Sequence, residues 1–222
     1  MTTNFNRVLF DYDGTILIHD KENEFYEIGK VLGFDAEQIL IFESQLKNFF
    51  GHFSELFKGK IMTYEYYLYT ANQIMPCLKK FGKSVEEFDE AVSIKTNTKS
   101  YLSYGIFDAL EYLKDKGYKL CIFTNGFYNL QVRSMKCHKV FDYFEEIYAW
   151  DNFYPKPDLR SMKRALKGTN PKENVMIGDN LESDIQMANR AGVFSIGYKT
   201  KDDLQIKPKI RIENMSELKN IL

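Results

Sequence analysis

Short apolar runs recur along this chain, and stretches with helical periodicity separate most of them. Apart from Ser195 in the last run, the runs are apolar at consecutive positions, which is typical of a strand whose two faces are both buried in a parallel sheet. The runs occupy Val8–Phe10, Leu120–Phe123, Ile147–Ala149, Val175–Ile177 and Val193–Ile196.

The helical stripes between these runs are clearest in the second half of the chain. Ile106, Leu110 and Leu113 form one stripe, and Gly117 follows them where a helix C-cap is expected. Further stripes comprise Leu159, Met162, Ala165 and Leu166, and then Ile185, Met187, Ala188 and Ala191 with Gly192 behind them. Strands that alternate with such helices predict an α/β fold built on a doubly wound parallel sheet.

The alternation breaks between residues 18 and 96, where the pattern is helical throughout. One apolar face is formed by Phe25, Ile28, Val31 and Leu32. Helix starts are indicated by the capping-box pairs Asp35 with Gln38 and Ser84 with Glu87, and breaks by Gly51, Gly59 and Gly82. We therefore predict two domains: a discontinuous core of residues 1–17 and 97–222, and an inserted helical cap of residues 18–96.

Composition narrows the classes of function. The formal net charge is −1 and the charges are well mixed, so we expect neither a nucleic acid polymer nor a membrane as partner. Cys77, Cys121 and Cys137 lack the spacing of a zinc site, which predicts buried or half-buried thiols in a reducing compartment. No apolar run approaches the ~18 residues of a membrane span, and no signal-peptide pattern is present. A cytoplasmic location is therefore expected.

Aromatic side chains are abundant, with 18 Phe and 15 Tyr, and many of them lie between Phe25 and Phe88. Large side chains fill the core of a small helical unit, and this is the simpler explanation. The alternative is that some of them line a substrate pocket.

Two aspartates follow the first predicted strand. Asp11 and Asp13 lie in the segment Asp11-Tyr12-Asp13-Gly14-Thr15. Buried carboxylates this close destabilise each other unless a cation or a shared proton relieves the repulsion. Asp-Gly is also a common turn dipeptide, so this cluster alone is equally compatible with a simple turn.

Two further segments suit a phosphate group. Thr124-Asn125-Gly126 follows a predicted strand, and its hydroxyl, carboxamide and turn N–H groups match phosphate oxygens. Lys156 lies between Pro155 and Pro157 on a stiffened loop, where its ammonium group would neutralise a phosphate or a carboxylate. We expect both segments to bind substrate. Alone, the first segment is a weak signal, because a simple turn from strand to helix has the same sequence. Alone, the second segment favours an exposed lysine ahead of a helix with Pro157 at N1.

An acidic pair follows the predicted strand Val175–Ile177. Asp179 comes at the strand end after Gly178, and Asp184 falls near the start of the next helix. Oxygen ligands suit a hard cation such as Mg²⁺, whereas capping of the helix by acids is the structural alternative. Open α/β sheets bind ligands at the carboxyl ends of their strands, so we expect all these clusters at one edge of the sheet.

Together these motifs resemble those of the haloacid dehalogenase superfamily. That pattern is DxDGT, a strand-end Ser or Thr, a Lys and GDxxxxD, and it is matched here by Asp11–Thr15, Thr124, Lys156 and Gly178–Asp184. The resemblance covers the whole chain, and the helical insertion is like the cap of the superfamily's first subgroup. It implies a Mg²⁺-dependent phosphatase that acts on a small phosphorylated metabolite, as a monomer or a homodimer.

The resemblance also implies catalytic roles. Asp11 corresponds to a nucleophile that forms an aspartyl-phosphate, and Asp13 to the general acid and base. Thr124 corresponds to a donor to a phosphate oxygen. Lys156 corresponds to the residue that steadies the charges of the nucleophile and the phosphate.

The metal ligands follow in the same way. Mg²⁺ is expected on Asp11, on the backbone carbonyl of Asp13 and on Asp179, with Asp184 as an outer-shell or secondary acid. A carboxylate that attacks an anionic phosphoryl group must overcome charge repulsion, so a cation and a lysine are needed beside it.

Other members of the superfamily supply alternatives. Haloacid dehalogenases lack the second acid of the pair, whereas Asp13 is present here to protonate an alkoxide leaving group. Phosphomutases resembling β-phosphoglucomutase carry a cap histidine at the position of Asn23, and His19 is out of register. A non-catalytic protein that binds phosphorylated ligands would have lost a catalytic residue, and none of the matched positions is lost.

Local similarities favour a nucleotide substrate. Ile122–Phe127 with Leu130–Arg133 is similar to bacterial house-cleaning 5′-nucleotidases of this fold, and Lys58–Thr63 is similar to their cap loop. Asp151–Tyr154 departs from the usual pattern ahead of the lysine. Phosphoglycolate and sugar-phosphate phosphatases share most of the motifs. A nucleoside 5′-monophosphate is therefore the first expectation, and the other substrates stay open.

Overall fold

The computed structural model describes residues 5–19, 24–56 and 60–222. Asn23, Lys58 and Gly59, on which some expectations rest, lie outside the described residues. The chain forms two compact units, of which the first comprises Met1–Ile18 with Tyr101–Leu222 and the second comprises His19–Ser100. That the second unit is a cap stays a prediction. Within the ranges that the structure describes, no helix has both the length and the apolar character needed to cross a membrane.

The elements follow one another along the chain as strands and helices. The strands are β1 (Arg7–Phe10), β2 (Leu17–His19), β3 (Ser100–Leu102), β4 (Lys119–Phe123), β5 (Glu146–Tyr148), β6 (Asn174–Gly178), β7 (Phe194–Tyr198) and β8 (Ile210–Ile212). The helices are α1 (Glu24–Val31), α2 (Ala36–Leu56), α3 (Tyr64–Ile74), α4 (Pro76–Lys80), α5 (Val85–Lys99), α6 (Ile106–Asp115), α7 (Tyr128–Cys137), α8 (Leu159–Ala165) and α9 (Met187–Ala191).

A parallel six-stranded sheet lies at the centre of the first unit, in the order β5-β4-β1-β6-β7-β8. From β1 the chain proceeds to β4 and β5 on one side, and then crosses to β6, β7 and β8 on the other. The direction of winding therefore reverses beside β1, and ligands bind at the carboxyl ends of the strands at such a reversal. The predicted α/β fold with a doubly wound parallel sheet is confirmed.

Two apolar cores cover the two faces of this sheet. Val8 and Phe10 pack with the apolar stripe of α6, whereas Leu9 packs with Met162 of α8 and Met187 of α9. Successive side chains of a strand point to opposite faces, so a strand covered on both faces needs consecutive apolar residues. This is why apolar runs predicted these strands. The short strands β2 and β3, which pair with each other, and the edge strand β8 were not predicted.

Helices α1–α5 form the second unit. Both predicted capping boxes are present: Asp35 and Gln38 exchange bonds of 2.9 and 3.0 Å, and Ser84 and Glu87 exchange bonds of 3.1 and 2.8 Å. The predicted helix break at Gly51 is wrong, because α2 continues through this residue.

Aromatic residues fill much of the core of the second unit. Phe34 packs edge-on against Phe42 and Phe81, and Phe42 against Phe88, with ring centroids 5.3–6.0 Å apart. Tyr66 and Tyr69, by contrast, stack on each other and are 54% and 64% exposed. The simpler explanation of the aromatic content therefore holds for the phenylalanine cluster.

Candidate active site

A buried lysine lies between two aspartates at the carboxyl edge of the sheet. Lys156 Nζ is 2.6 Å from Asp11 Oδ1 and 2.6 Å from Asp184 Oδ1. The side chains of Lys156, Asp11 and Asp184 are 3%, 9% and 0% exposed. Three of the predicted site residues thus meet, although their loops follow different strands.

Burial and charge compete in this ion triad. Burial raises the pKa of Asp11 to about 6, although the charge of Lys156 acts in the opposite direction. The same two influences bring the pKa of Asp184 to about 6. Burial alone would lower the pKa of Lys156, but the two carboxylates raise it above its usual value. The lysine therefore keeps its charge.

Asp179 brings a third carboxylate to this edge. One oxygen from each of Asp11, Asp179 and Asp184 lies within 4.8 Å of the others. Thr15 Oγ1 donates to Asp179 Oδ1 at 3.1 Å and has a longer contact, 3.4 Å, with Asp11 Oδ2. Burial, reinforced by the charge of Asp184, raises the pKa of Asp179. The three carboxylates carry more negative charge than the single charge of Lys156 neutralises. Carboxylate oxygens with such an excess of negative charge suit Mg²⁺ as ligands.

Asp13 has a different environment. Its Oδ2 accepts a 2.7 Å hydrogen bond from Gln131 Nε2. The group of metal-competent carboxylates found among the described residues does not include it. The expected metal contact of Asp13 is through its backbone carbonyl, and it stays a prediction. The structure thus puts one acid beside the metal-competent carboxylates rather than among them.

The loop after β4 is held by its own polar groups. The Gly126 N–H donates to Oγ1 of buried Thr124 at 3.0 Å, and the hydroxyl of Thr124 keeps its own proton for donation. Asn125 pairs with the backbone of Lys156: its Nδ2 donates to the carbonyl at 3.0 Å, and its Oδ1 accepts from the N–H at 2.7 Å. The Asn125 carboxamide therefore positions Lys156. Substrate contacts of Asn125 and Gly126 stay predictions.

Helix α8 begins at Leu159, where the predicted apolar stripe begins, and two residues beyond Pro157, the N1 position of the alternative interpretation. Asp158 is the N-cap of α8 and accepts a 2.8 Å hydrogen bond from the Arg160 N–H. Pro157 therefore precedes the cap and does not occupy N1. The capping side chain of Asp158 explains this start, because it satisfies an orphan donor of the first turn.

Asp184 is built into the turn after β6. Asn180 accepts from the N–H groups of Glu182 and Ser183 at 3.0 and 2.9 Å, and its own N–H donates to Asp184 Oδ2 at 3.1 Å. A π-helical turn, Leu181–Gln186, separates this cap from α9, where the sequence predicted one continuous helix. A Cβ on Gly178 would lie 2.3 Å from Asp184 Oδ2. The loop thus holds Asp184 as a fixed anchor for Lys156.

Sequence reasoning missed Gln131 as a site residue. It lies on α7, whose residues show no apolar stripe that predicts a helix. The available signal was its position, because a polar residue one turn into a helix after a strand-end loop can reach back to the same edge of the sheet.

A family model of the haloacid dehalogenase-like hydrolases matches residues 5–192. The chain belongs to this family. Among its curated relatives, the pyrophosphatase PpaX of Listeria monocytogenes is 24% identical over 232 residues, covering 98% of this chain and 96% of the relative. The pyrimidine 5′-nucleotidase PynA of Streptococcus pneumoniae is 24% identical over 231 residues, covering 96% and 86%.

Solved structures of haloacid dehalogenase-like proteins share the fold. A phosphatase from Thermococcus onnurineus superposes with a TM-score of 0.68 at 24% identity, covering 98% of this chain and 97% of that one. A 2-haloacid dehalogenase from Pseudomonas syringae gives 0.70 at 22%, with the same coverage. The family match and the curated relatives confirm the predicted enzyme class, a phosphatase of the haloacid dehalogenase type.

Proposed function

We propose that this enzyme is a Mg²⁺-dependent phosphatase that cleaves a small phosphomonoester through an aspartyl-phosphate on Asp11. The observation that carries the proposal is the buried Asp11–Lys156–Asp184 triad with Asp179 beside it. This arrangement puts a carboxylate nucleophile next to one fixed cation and next to oxygen ligands for a second. We interpret the second unit, His19–Ser100, as the cap domain.

Asp11 acts first as nucleophile. A carboxylate oxygen of Asp11 forms a bond to phosphorus while the bond from phosphorus to the ester oxygen breaks. Asp13 donates its proton to the departing oxygen, which leaves as an alcohol. Lys156 offsets the negative charges that meet in this step.

Water then releases the phosphate. Asp13, now a carboxylate, takes a proton from a water molecule while the water oxygen attacks phosphorus. The bond from phosphorus to Asp11 breaks, so inorganic phosphate leaves and the Asp11 carboxylate is restored. Each of these two steps has a lower barrier than a single direct displacement by water.

The remaining residues orient the phosphoryl group. The hydroxyl group of Thr124 donates a hydrogen bond to a phosphoryl oxygen. The side chain of Asn125 keeps Lys156 in place by bonding the backbone of Lys156. Mg²⁺, held by Asp11, Asp179 and the backbone carbonyl of Asp13, would withdraw negative charge from the phosphoryl oxygens.

A nucleoside 5′-monophosphate is the first candidate substrate. The sequence around Thr124 is similar to that of 5′-nucleotidases, and the relative PynA is a pyrimidine 5′-nucleotidase. The relative PpaX, a pyrophosphatase at the same identity, makes inorganic pyrophosphate the second candidate. Phosphoglycolate and hexose phosphates are the remaining ones.

Phosphate release from these compounds, with Mg²⁺ and with EDTA, tests the proposal. We expect activity only with Mg²⁺, and a kcat/KM for at least one pyrimidine or purine monophosphate at least about tenfold above that for phosphoglycolate, since a base adds about 1–3 kcal/mol of stacking. Asp11→Asn should abolish turnover, whereas Asp115→Asn, at an exposed position on α6, should not. An active Asp11→Asn enzyme refutes the mechanism. Leading activity on another substrate refutes only the nucleotide assignment.

A further inference from the structure

Gln131 connects helix α7 to the carboxyl group of Asp13. The amide Nε2 of Gln131 donates to Asp13 Oδ2 at 2.7 Å across 118 residues of sequence. The side chain of Gln131 belongs to the buried polar residues, with 8% of the residue exposed. An N–H to carboxylate bond of this length is a charge-assisted hydrogen bond, which is stronger than a neutral one.

The loop before α7 leaves room for this contact. A Cβ on Gly126 would lie 1.9 Å from Gln131 Nε2, so any larger residue would displace the amide. The backbone N–H of Gln131 donates to the Phe127 carbonyl at 3.0 Å, which fixes the residue in the first turn of the helix. The amide is thus aimed at Asp13 by its helix and by the absence of a side chain at position 126.

A second bond ties the same helix to the same loop. Tyr12 Oη and Ser134 Oγ are 3.0 Å apart in a buried position. Ser134 is three residues beyond Gln131, so both side chains project from one face of α7. Helix α7 therefore contacts two consecutive residues of the segment that carries Asp11 and Asp13.

We propose that Gln131 is a positioning residue for the general acid and base. By bonding Oδ2, it sets the rotation of the Asp13 carboxyl group about its Cβ–Cγ bond, and so the direction in which the proton is given and taken back. The amide N–H of Gln131 can only donate a hydrogen bond. It therefore cannot accept the proton that Asp13 gives to the leaving oxygen, or the proton that Asp13 takes from water. This inference rests on the proposed function, because it assigns Gln131 a part in those two proton transfers.

The test is Gln131→Met, which keeps the length of the side chain and removes the donor. General acid and base catalysis contributes about 10²–10⁴ in rate, and we expect a misoriented carboxyl to lose about 10- to 100-fold in kcat on uridine 5′-monophosphate, with KM within about twofold. p-Nitrophenolate needs little protonation to leave. With enzyme in excess over p-nitrophenyl phosphate, the rate of p-nitrophenolate release should therefore stay within about threefold of the wild-type rate, while the steady-state turnover rate falls.

Controls separate this role from a structural one. Asn129→Ala changes an exposed position on the same helix and should leave all rates unchanged. Gln131→Glu keeps the shape and replaces the donor by an acceptor, and it should reproduce the selective loss even if Gln131→Met folds poorly, which circular dichroism and urea unfolding would report.

Two results would overturn the inference. One is wild-type turnover in both Gln131 variants. The other is an equal loss of p-nitrophenolate release and of turnover on uridine 5′-monophosphate, which indicates general damage to the site. Asp11→Asn is measured in parallel: if it is inactive while both Gln131 variants turn over normally, only the role of Gln131 fails, whereas an active Asp11→Asn removes the proposed function itself.

Discussion

Lys156→Met should destabilise the fold by an amount that depends on pH. The substitution keeps an unbranched side chain but removes the charge that lies 2.6 Å from both Asp11 and Asp184. Removing one partner of a buried ion pair destabilises a protein by about 3–5 kcal/mol, because the remaining charge is buried without compensation. We expect a loss in that range at pH 8, together with the loss of turnover.

The sign of the pH dependence follows from the two carboxyl groups. Their pKa values in the folded chain, about 6, lie above the ordinary value of 3.8. Burial of these carboxylates therefore destabilises the fold above about pH 6, and this effect disappears as the pH falls towards about 4. The charge of Lys156 opposes the rise of both pKa values. Without Lys156 both pKa values rise further, so the loss of stability is larger and continues to grow with pH up to these higher pKa values. The difference between wild type and variant should thus be largest at pH 8 and at least ~1 kcal/mol smaller at pH 5.

Urea unfolding followed by circular dichroism, in EDTA at pH 8 and at pH 5, measures both quantities. Lys163→Met serves as the matched control, because it removes an exposed lysine from the neighbouring helix α8, and its midpoint should match wild type. An unchanged unfolding free energy of Lys156→Met at pH 8 would refute the reasoning. So would a difference that grows when the pH is lowered.

Other perturbations address the second acid, the metal and the helical unit. Asp13→Asn should slow water activation more than phosphorylation by p-nitrophenyl phosphate, so rapid-quench mass spectrometry should detect the phosphoenzyme. Asp179→Ala should raise the Mg²⁺ concentration needed for half-maximal activity by at least about tenfold, and Ca²⁺ should substitute poorly because its coordination is longer and looser. Tyr67→Phe removes a 2.7 Å hydrogen bond to buried Asp89 and should lower the unfolding free energy by about 1–3 kcal/mol without changing KM.

Each of these expectations has a result that contradicts it. A wild-type steady-state rate for Asp13→Asn would exclude its role in proton transfer. An unaltered Mg²⁺ requirement in Asp179→Ala would remove that carboxylate from the metal site. A wild-type urea midpoint for Tyr67→Phe would show that Asp89 finds an equivalent partner, and Tyr69→Phe, at an exposed position on the same helix, gives the reference.

Local patterns predicted those parts of the structure that local physics determines. The buried strands were visible because both of their faces are covered, and the capping boxes because their partners are three residues apart. Strand β8 was missed because Ile210-Arg211-Ile212 is short and has an exposed arginine at its centre. Helix α7 was missed because its buried face includes Gln131 and Ser134, which are polar.

The site was predictable to the extent that its residues follow strands. Parallel strands bring Asp11, Thr124 and Asp179 to one edge, and this follows from the order of elements alone. The partner of each side chain does not follow from that order. The sequence did not predict that Asn125 bonds the backbone of Lys156, and nothing in the sequence pairs Gln131 with Asp13. Such contacts depend on the register and spacing of neighbouring loops, which the local pattern does not specify.

The close approach of Asp184 to Gly178 has a consequence for a saturation library of this enzyme. Gly82 has a positive φ of 72°, and a Cβ added there would meet nothing within 4 Å, so asparagine, which adopts that conformation readily, should survive selection there. Gly178 and Gly126 have ordinary backbone angles, but an added carbon would overlap Asp184 or Gln131. At these two positions even alanine should be depleted under selection for activity. The tolerance profile of its glycines would therefore distinguish positions that shape the chain from positions that make room for catalytic machinery.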